Sequence, residues 1–144
     1  MNSSDVIVRQ TFTKEMSTLD AIHRTLETFA HAHCLEGVSR IRLELVVEEL
    51  FTNMIKYSRG SGGTVKLDLE KALDKIRIEL TESDVDEFNP FQALTSPDHK
   101  PPASDSIGGR GLFLVREIAE EVSYQYNGRT GTTVVVIKAG DTNV

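Results

Sequence analysis

The chain has no tryptophan, one cysteine and four prolines in its 144 residues. A lone cysteine, Cys34, excludes any intramolecular disulfide, so the core alone must hold the fold. A reducing, cytoplasmic setting is the expectation that follows. No apolar run approaches the ~20 residues that a membrane span requires. The opening Met1-Asn2-Ser3-Ser4-Asp5-Val6 lacks the basic and apolar regions of a secretory signal. Excess positive charge is also missing. The formal net charge is −6, which argues against duplex-DNA binding, because that requires a basic face to neutralise phosphates. Neither direct nucleic-acid contact nor membrane association is expected. Repeats and low-complexity tracts are absent as well. The length corresponds to one domain spanning 1–144, large enough to bury one substantial core.

Hydrophobic patterning supplies the elements. Val6 to Phe12 alternates apolar and polar residues and reads as a strand. Ser17 or Thr18 is placed to cap a helix to about His33, with Leu19, Ile22, Leu26, Phe29 and Ala30 on its apolar stripe. Gly37 breaks that pattern, and Ser39 is placed to cap a second helix ending near Tyr57. Leu43, Val46, Val47, Leu50 and Met54 share one arc of this helix, with Glu49, Thr52, Asn53 and Lys56 roughly opposite. After the turn Arg59-Gly60-Ser61-Gly62-Gly63, strands at Thr64–Glu70 and Lys75–Thr81 flank Leu73-Asp74 and read as a hairpin. All four prolines, Pro90, Pro97, Pro101 and Pro102, fall between Ser83 and Ile107. An irregular stretch of that length inside a compact domain tends to be functional. Gly108-Gly109-Arg110-Gly111 opens a third helix to about Glu121. Strands at Val122–Tyr126 and Thr132–Lys138 close the chain around Asn127-Gly128-Arg129. The order β-α-α-β-β-loop-α-β-β predicts an α+β fold, a two-layer α/β sandwich with its helices on one face of a mostly antiparallel, mixed sheet.

Three pieces carry candidate chemistry. Glu49 and Asn53 lie four apart on one helix face. A carboxylate and an amide oxygen so placed either form part of a solvated face or share a hard cation and its waters. The glycines of Gly108-Gly109-Arg110-Gly111 permit close backbone approach, and free N–H groups at a helix start attract phosphate. The run lacks the third glycine of G-x-G-x-x-G, with Leu114 there instead, and no Gly-Lys-Ser/Thr makes it a P-loop. The third piece is the strand end Thr81-Glu82-Ser83-Asp84-Val85-Asp86-Glu87-Phe88-Asn89-Pro90. A carboxylate there either meets a base or metal, or belongs to an exposed acidic turn. His31, His33 and Cys34 have the wrong spacing for a helical zinc site, and no nucleophile elbow is present.

In this order the three pieces resemble the N, G1 and G2 boxes of the GHKL (Bergerat-fold, histidine-kinase-like) ATPases, and in particular the small stand-alone anti-sigma regulatory factors with serine/threonine kinase activity. The resemblance runs from the first strand to Lys138. Glu49-x-x-x-Asn53 with Tyr57 is similar to the N box. Ile107-Gly-Gly-Arg-Gly-Leu-Phe-Leu-Val115 is similar to the G2 box, and Gly131-Thr132 to the Gly-Thr beside the adenine. The resemblance implies ATP and Mg²⁺, with Asn53 as metal ligand and Glu49 as general base. Gly108, Gly109, Arg110 and Gly111 would line the phosphates, Thr132 would support the adenine pocket, and about 83–107 would form a lid over ATP. Aligning Phe88-Asn89-Pro90 with the family's Phe-Asp-Pro puts Ser83-Asp84-Val85 where Asp-Asp-Gly is common. The adenine-reading position is then Ser83, or Asp84 after a shift of one. The implied partners are a sigma factor and an anti-sigma antagonist protein, with homodimer formation through sheets or first helices. Two rival readings are a partner-binding module on the same fold and a detached histidine-kinase ATPase domain.

Overall fold

The computed structural model describes residues 7–91 and 107–140. Residues 92–106, the middle of the expected lid, lie outside the described residues, as does Val6. The elements are β1 (Val8–Thr13), a single 3₁₀ turn (Met16–Thr18), α1 (Leu19–Ala32), α2 (Gly37–Tyr57), β2 (Thr64–Ala72), β3 (Lys75–Glu82), α3 (Ile107–Ile118), β4 (Glu121–Tyr126) and β5 (Gly131–Lys138). Each element expected from the patterning is present in the expected order, with ends moved by a few residues.

The sheet order is β1-β2-β3-β5-β4. All four strand pairings among the described residues are antiparallel, so the expected mostly antiparallel, mixed sheet has no parallel pair among them. After β3 the chain leaves the sheet, passes through α3 and returns as a hairpin that lays β5 against β3. Period-two alternation then fixes the two faces. Val65, Leu67 and Leu69 of β2, Ile76, Ile78 and Leu80 of β3, and Val135 and Ile137 of β5 are buried in one core with Ile22, Leu26 and Phe29 of α1 and with α2. The other face carries Arg9, Lys66, Glu70 and Arg77, all exposed. Ion pairs such as Arg9–Asp68 and Arg77–Glu79 lie on it, and in water they add little stability.

Helix α2 departs from a simple amphipathic helix. Its sheet-facing arc is buried as expected, but Phe51 and Asn53 are buried too. The helix contacts α1, α3 and β5, and these two residues mark the edges of its buried arc. Neither of the two expected hydroxyl caps, at Ser17 or Thr18 and at Ser39, forms. Thr18 sits at the start of α1 with helical backbone angles, and its Oγ1 lies 2.7 Å from Thr13 Oγ1. Ser17 turns to Glu15 instead. Gly37, at φ +59°, already begins α2. Ser39 therefore falls inside the first turn, where its hydroxyl donates to the Glu36 carbonyl at 2.9 Å.

At one end of the sheet three loops are bound together. The amides of Ser61 and Gly62 donate to the Asp84 carbonyl at 2.9 and 3.1 Å, Asp86 N–H to the Arg59 carbonyl at 2.7 Å, and Val85 N–H to the Arg129 carbonyl at 3.1 Å. The approach is close enough that a Cβ on Gly62 would lie 1.8 Å from the Ser83 carbonyl oxygen. Backbone on both sides leaves no flexible atom to give way, so Gly62→Ala is expected to cost about 1–3 kcal/mol of stability. Urea unfolding of the two proteins checks this; an unchanged midpoint would mean the loops are not in contact in solution.

Candidate functional site

Helices α2 and α3 meet where Glu49 crosses the start of α3. A Cβ on Gly111 would lie 1.6 Å from Glu49 Oε1 and 2.1 Å from its Cδ, so the carboxyl group rests directly on the Gly111 backbone. A side chain at 111 would push the Glu49 carboxyl group out of this position. By helix geometry the amides of Ile107, Gly108 and Gly109 have no partner within α3, whereas the amide of Gly111 continues the helix ladder. Of the four positions expected to line phosphates, Gly108 and Gly109 offer backbone donors unused within α3, and Gly111 offers contact with Glu49. The side chain of Arg110 lies outside the described residues.

Among the described residues the Glu49 carboxylate has neither a hydrogen-bond donor nor an ion-pair partner. Partial burial, and next the neighbouring Glu48, push its pKa up, with Lys56 acting in the opposite sense. A half-buried carboxylate without a donor is suited to taking up a proton. One turn on, Asn53 is buried, and its Nδ2 donates to the Glu49 backbone carbonyl at 2.7 Å. That bond orients the amide, with Oδ1 as its acceptor atom. Of the two readings of the Glu49–Asn53 face, the solvated one is therefore corrected for Asn53, which is buried at the edge of the arc that holds Leu43, Val46 and Leu50. Among the described residues no three His, Cys, Asp or Glu side chains are grouped to hold a metal. Any cation here would rest on Asn53 Oδ1, with its remaining ligands from phosphate and water. His33 instead packs its ring on Phe29 with centroids 4.5 Å apart.

The end of β3 differs from the sequence expectation. Ser83 is exposed, and Asp84, at φ +58°, turns its carboxylate to Arg129 Nε in the β4–β5 turn. Neither side chain points to the helix-facing side. Glu82 does. It follows Ile76, Ile78 and Leu80 on the inner face, is buried, and has both oxygens engaged: Ser58 Oγ donates at 3.0 Å and Lys14 Nζ at 2.8 Å. Counting in twos from Ile76 finds this residue in the sequence; aligning on Phe88-Asn89-Pro90 passes over it. Asp84 then occupies a left-handed position that glycine usually takes.

The same parity corrects the last strand. Thr132 pairs with Thr81 and Gln125 on the outer face, whereas buried Thr133 pairs with Leu80 and Tyr124 on the inner face. Two tyrosines extend over this end of the sheet. Tyr124 Oη accepts from Phe88 N–H at 2.9 Å, and Tyr126 Oη donates to the Val85 carbonyl at 2.7 Å. Burial raises the pKa of the Tyr124 phenol. Phe88 also faces half-exposed Tyr57 at the end of α2, with ring centroids 6.4 Å apart.

The candidate site is therefore a seam with Glu49, Asn53 and the start of α3 at one end, and Glu82, Gly131, Thr133 and Tyr124 at the other. No helix among the described residues is long and apolar enough to cross a membrane. No curated protein sequence matches the chain. The nucleotide-free catalytic domain of histidine kinase ThkA has the same fold, with TM-score 0.52 and 16% identity over 92% of this chain and 96% of that one. The Acinetobacter baumannii histidine kinase AdeS gives TM-score 0.52 and 12% identity over 94% of this chain and 70% of that one. A family model described as the histidine kinase-like ATPase domain matches residues 12–138. With nearly all of both layers inside that match, the chain belongs to the histidine kinase-like ATPase domain family.

Proposed function

We propose that this domain binds ATP with Mg²⁺ in the α2–α3 seam and acts as an anti-sigma regulator. In this reading it holds a sigma factor in one state and phosphorylates a serine or threonine of an antagonist protein in another. The observation that carries the reading is the contact of Glu49 with Gly111, which joins the Glu49–Asn53 pair to the amides at the start of α3. The ATP phosphates would meet the amides of Gly108 and Gly109, where the helix dipole favours negative charge. Asn53 Oδ1 would hold Mg²⁺. When bound, the ion would neutralise phosphate charge. Glu49 would accept the proton of the substrate hydroxyl as its oxygen bonds to the γ-phosphorus and the bond to ADP breaks.

Calorimetric titration with ATP and Mg²⁺ tests the binding step. Saturable binding in the micromolar range is expected, weakened at least about tenfold by Asn53→Ala. No binding by the unaltered protein would leave a partner-capturing module on this fold. A second reading, a histidine-kinase ATPase domain, is favoured by the end-to-end fold match to the ThkA catalytic domain. ATP-dependent phosphate on a histidine of another chain would select it.

A further inference from the structure

The base end of the seam is already filled by a side chain of the protein. Along the inner face, Phe12, Val65, Glu82, Gly131 and Tyr126 form one row across the sheet. Gly131 leaves a notch in that row beside the Glu82 carboxylate. Tyr124 stands in the next row, opposite Thr133, and its ring runs diagonally into the notch. A Cβ on Gly131 would lie 2.8 Å from Tyr124 Oη, 3.3 Å from Cε1 and 3.4 Å from Cζ. The phenol therefore lies against bare backbone, held there by the hydrogen bond from Phe88 N–H at 2.9 Å. A flat heteroaromatic base carrying an amino group would seek this place, because Glu82 accepts hydrogen bonds and the glycine offers a flat wall.

We propose that Tyr124 is the specificity-determining residue of the base end: its ring occupies the notch at Gly131, and a purine base is admitted only when the ring swings out and gives up Phe88 N–H. This rests on the nucleotide reading above. Two consequences separate it from a purely structural role for Tyr124. Removing the ring strengthens binding of ligands that carry a base and leaves binding of the phosphate chain alone unchanged. Removing only the hydroxyl has a smaller effect of the same sign, because the latch is lost but the bulk remains.

The test is calorimetry of the full chain, Tyr124→Val and Tyr124→Phe with Mg·ATP and, separately, with Mg·tripolyphosphate. Valine suits a strand and keeps the inner face apolar; thermal unfolding confirms that both variants are folded. Tyr124→Val is expected to bind ATP about tenfold more tightly and Tyr124→Phe a few-fold more tightly, since a neutral hydrogen bond accounts for part of the difference. Tripolyphosphate affinity is expected to stay constant. Equal ATP affinity in all three proteins overturns the assignment while leaving the nucleotide reading intact. Weaker ATP binding by Tyr124→Val also overturns it, because the ring would then support the base. If none of the three binds ATP or tripolyphosphate, the nucleotide reading itself falls, and the Tyr124 assignment with it.

Discussion

Glu49→Gln is expected to lower phosphotransfer by about 10²–10⁴-fold, the range for loss of a general base, while ATP affinity changes little. The amide matches the carboxylate in size, so the packing against Gly111 is kept. Only the capacity to take up a proton goes. Single-turnover transfer of labelled phosphate, measured beside ATP binding, separates the two. Equal transfer by the variant would remove Glu49 from the chemistry. The pH dependence follows from the same environment. Only the ionised carboxylate accepts a proton, and burial raises its pKa above the 4.5 of an unperturbed glutamate. The acid limb of the rate profile should therefore lie above the ordinary carboxylate range and disappear in Glu49→Gln. The stability sign is opposite to that of a salt-bridged carboxylate. A folded-state pKa above the unfolded one gives a contribution that is full below the unfolded pKa and is lost as pH rises through the folded one. At neutral pH that contribution has gone, so Glu49→Gln is expected to unfold no earlier than the unaltered protein.

Lys14→Met is expected to destabilise the fold by about 3–5 kcal/mol, the range for breaking a buried ion pair from one side. Lys14 and Glu82 are almost fully enclosed, with Nζ and Oε2 2.8 Å apart. Methionine fills much of the same space but leaves a carboxylate whose remaining donor is the Ser58 hydroxyl at 3.0 Å. Adding Glu82→Gln to Lys14→Met removes the orphaned charge and should recover most of the loss. Urea unfolding of the two single variants and the double variant gives the coupling. A loss under about 1 kcal/mol in Lys14→Met, the size typical of exposed pairs, would mean that water reaches the pair. The pair ties the residue after β1 to the end of β3, and Ser58 adds the residue after α2. Loosening it should therefore disturb the base end of the seam before the α2–α3 end.

Several features were readable from residues alone. The helices, the two hairpins and their order follow from apolar spacing at 3.6 and 2 residues and from glycine-rich breaks. The pairing of Glu49 with Asn53 follows from a four-residue step on a helix. The placement of Gly108 and Gly109 at a helix start follows from the glycine run before the apolar stripe of α3. Local patterning was sufficient for these because each depends on neighbours a few residues away.

Other features depend on chain segments that come together only in the folded molecule. Glu49 reads as part of a polar face of α2 until the fold sets it against Gly111, 62 positions later in the chain. The fate of the acidic run after β3 is decided by Arg129, Lys14 and Ser58: one draws Asp84 outward, and the other two hold Glu82 inward. Thr132 and Thr133 differ by a single step, yet opposite sheet faces separate them, and register across β3 and β4 decides which one meets the helices. Tyr124 carries no signal in its own strand, since its role arises from a missing side chain on the neighbouring strand at Gly131. The sequence by itself determined which elements form and in what order, because that information lies in short-range periodicity. The tertiary structure alone decided which polar groups share the site, because burial and pairing are set by distant segments of the chain.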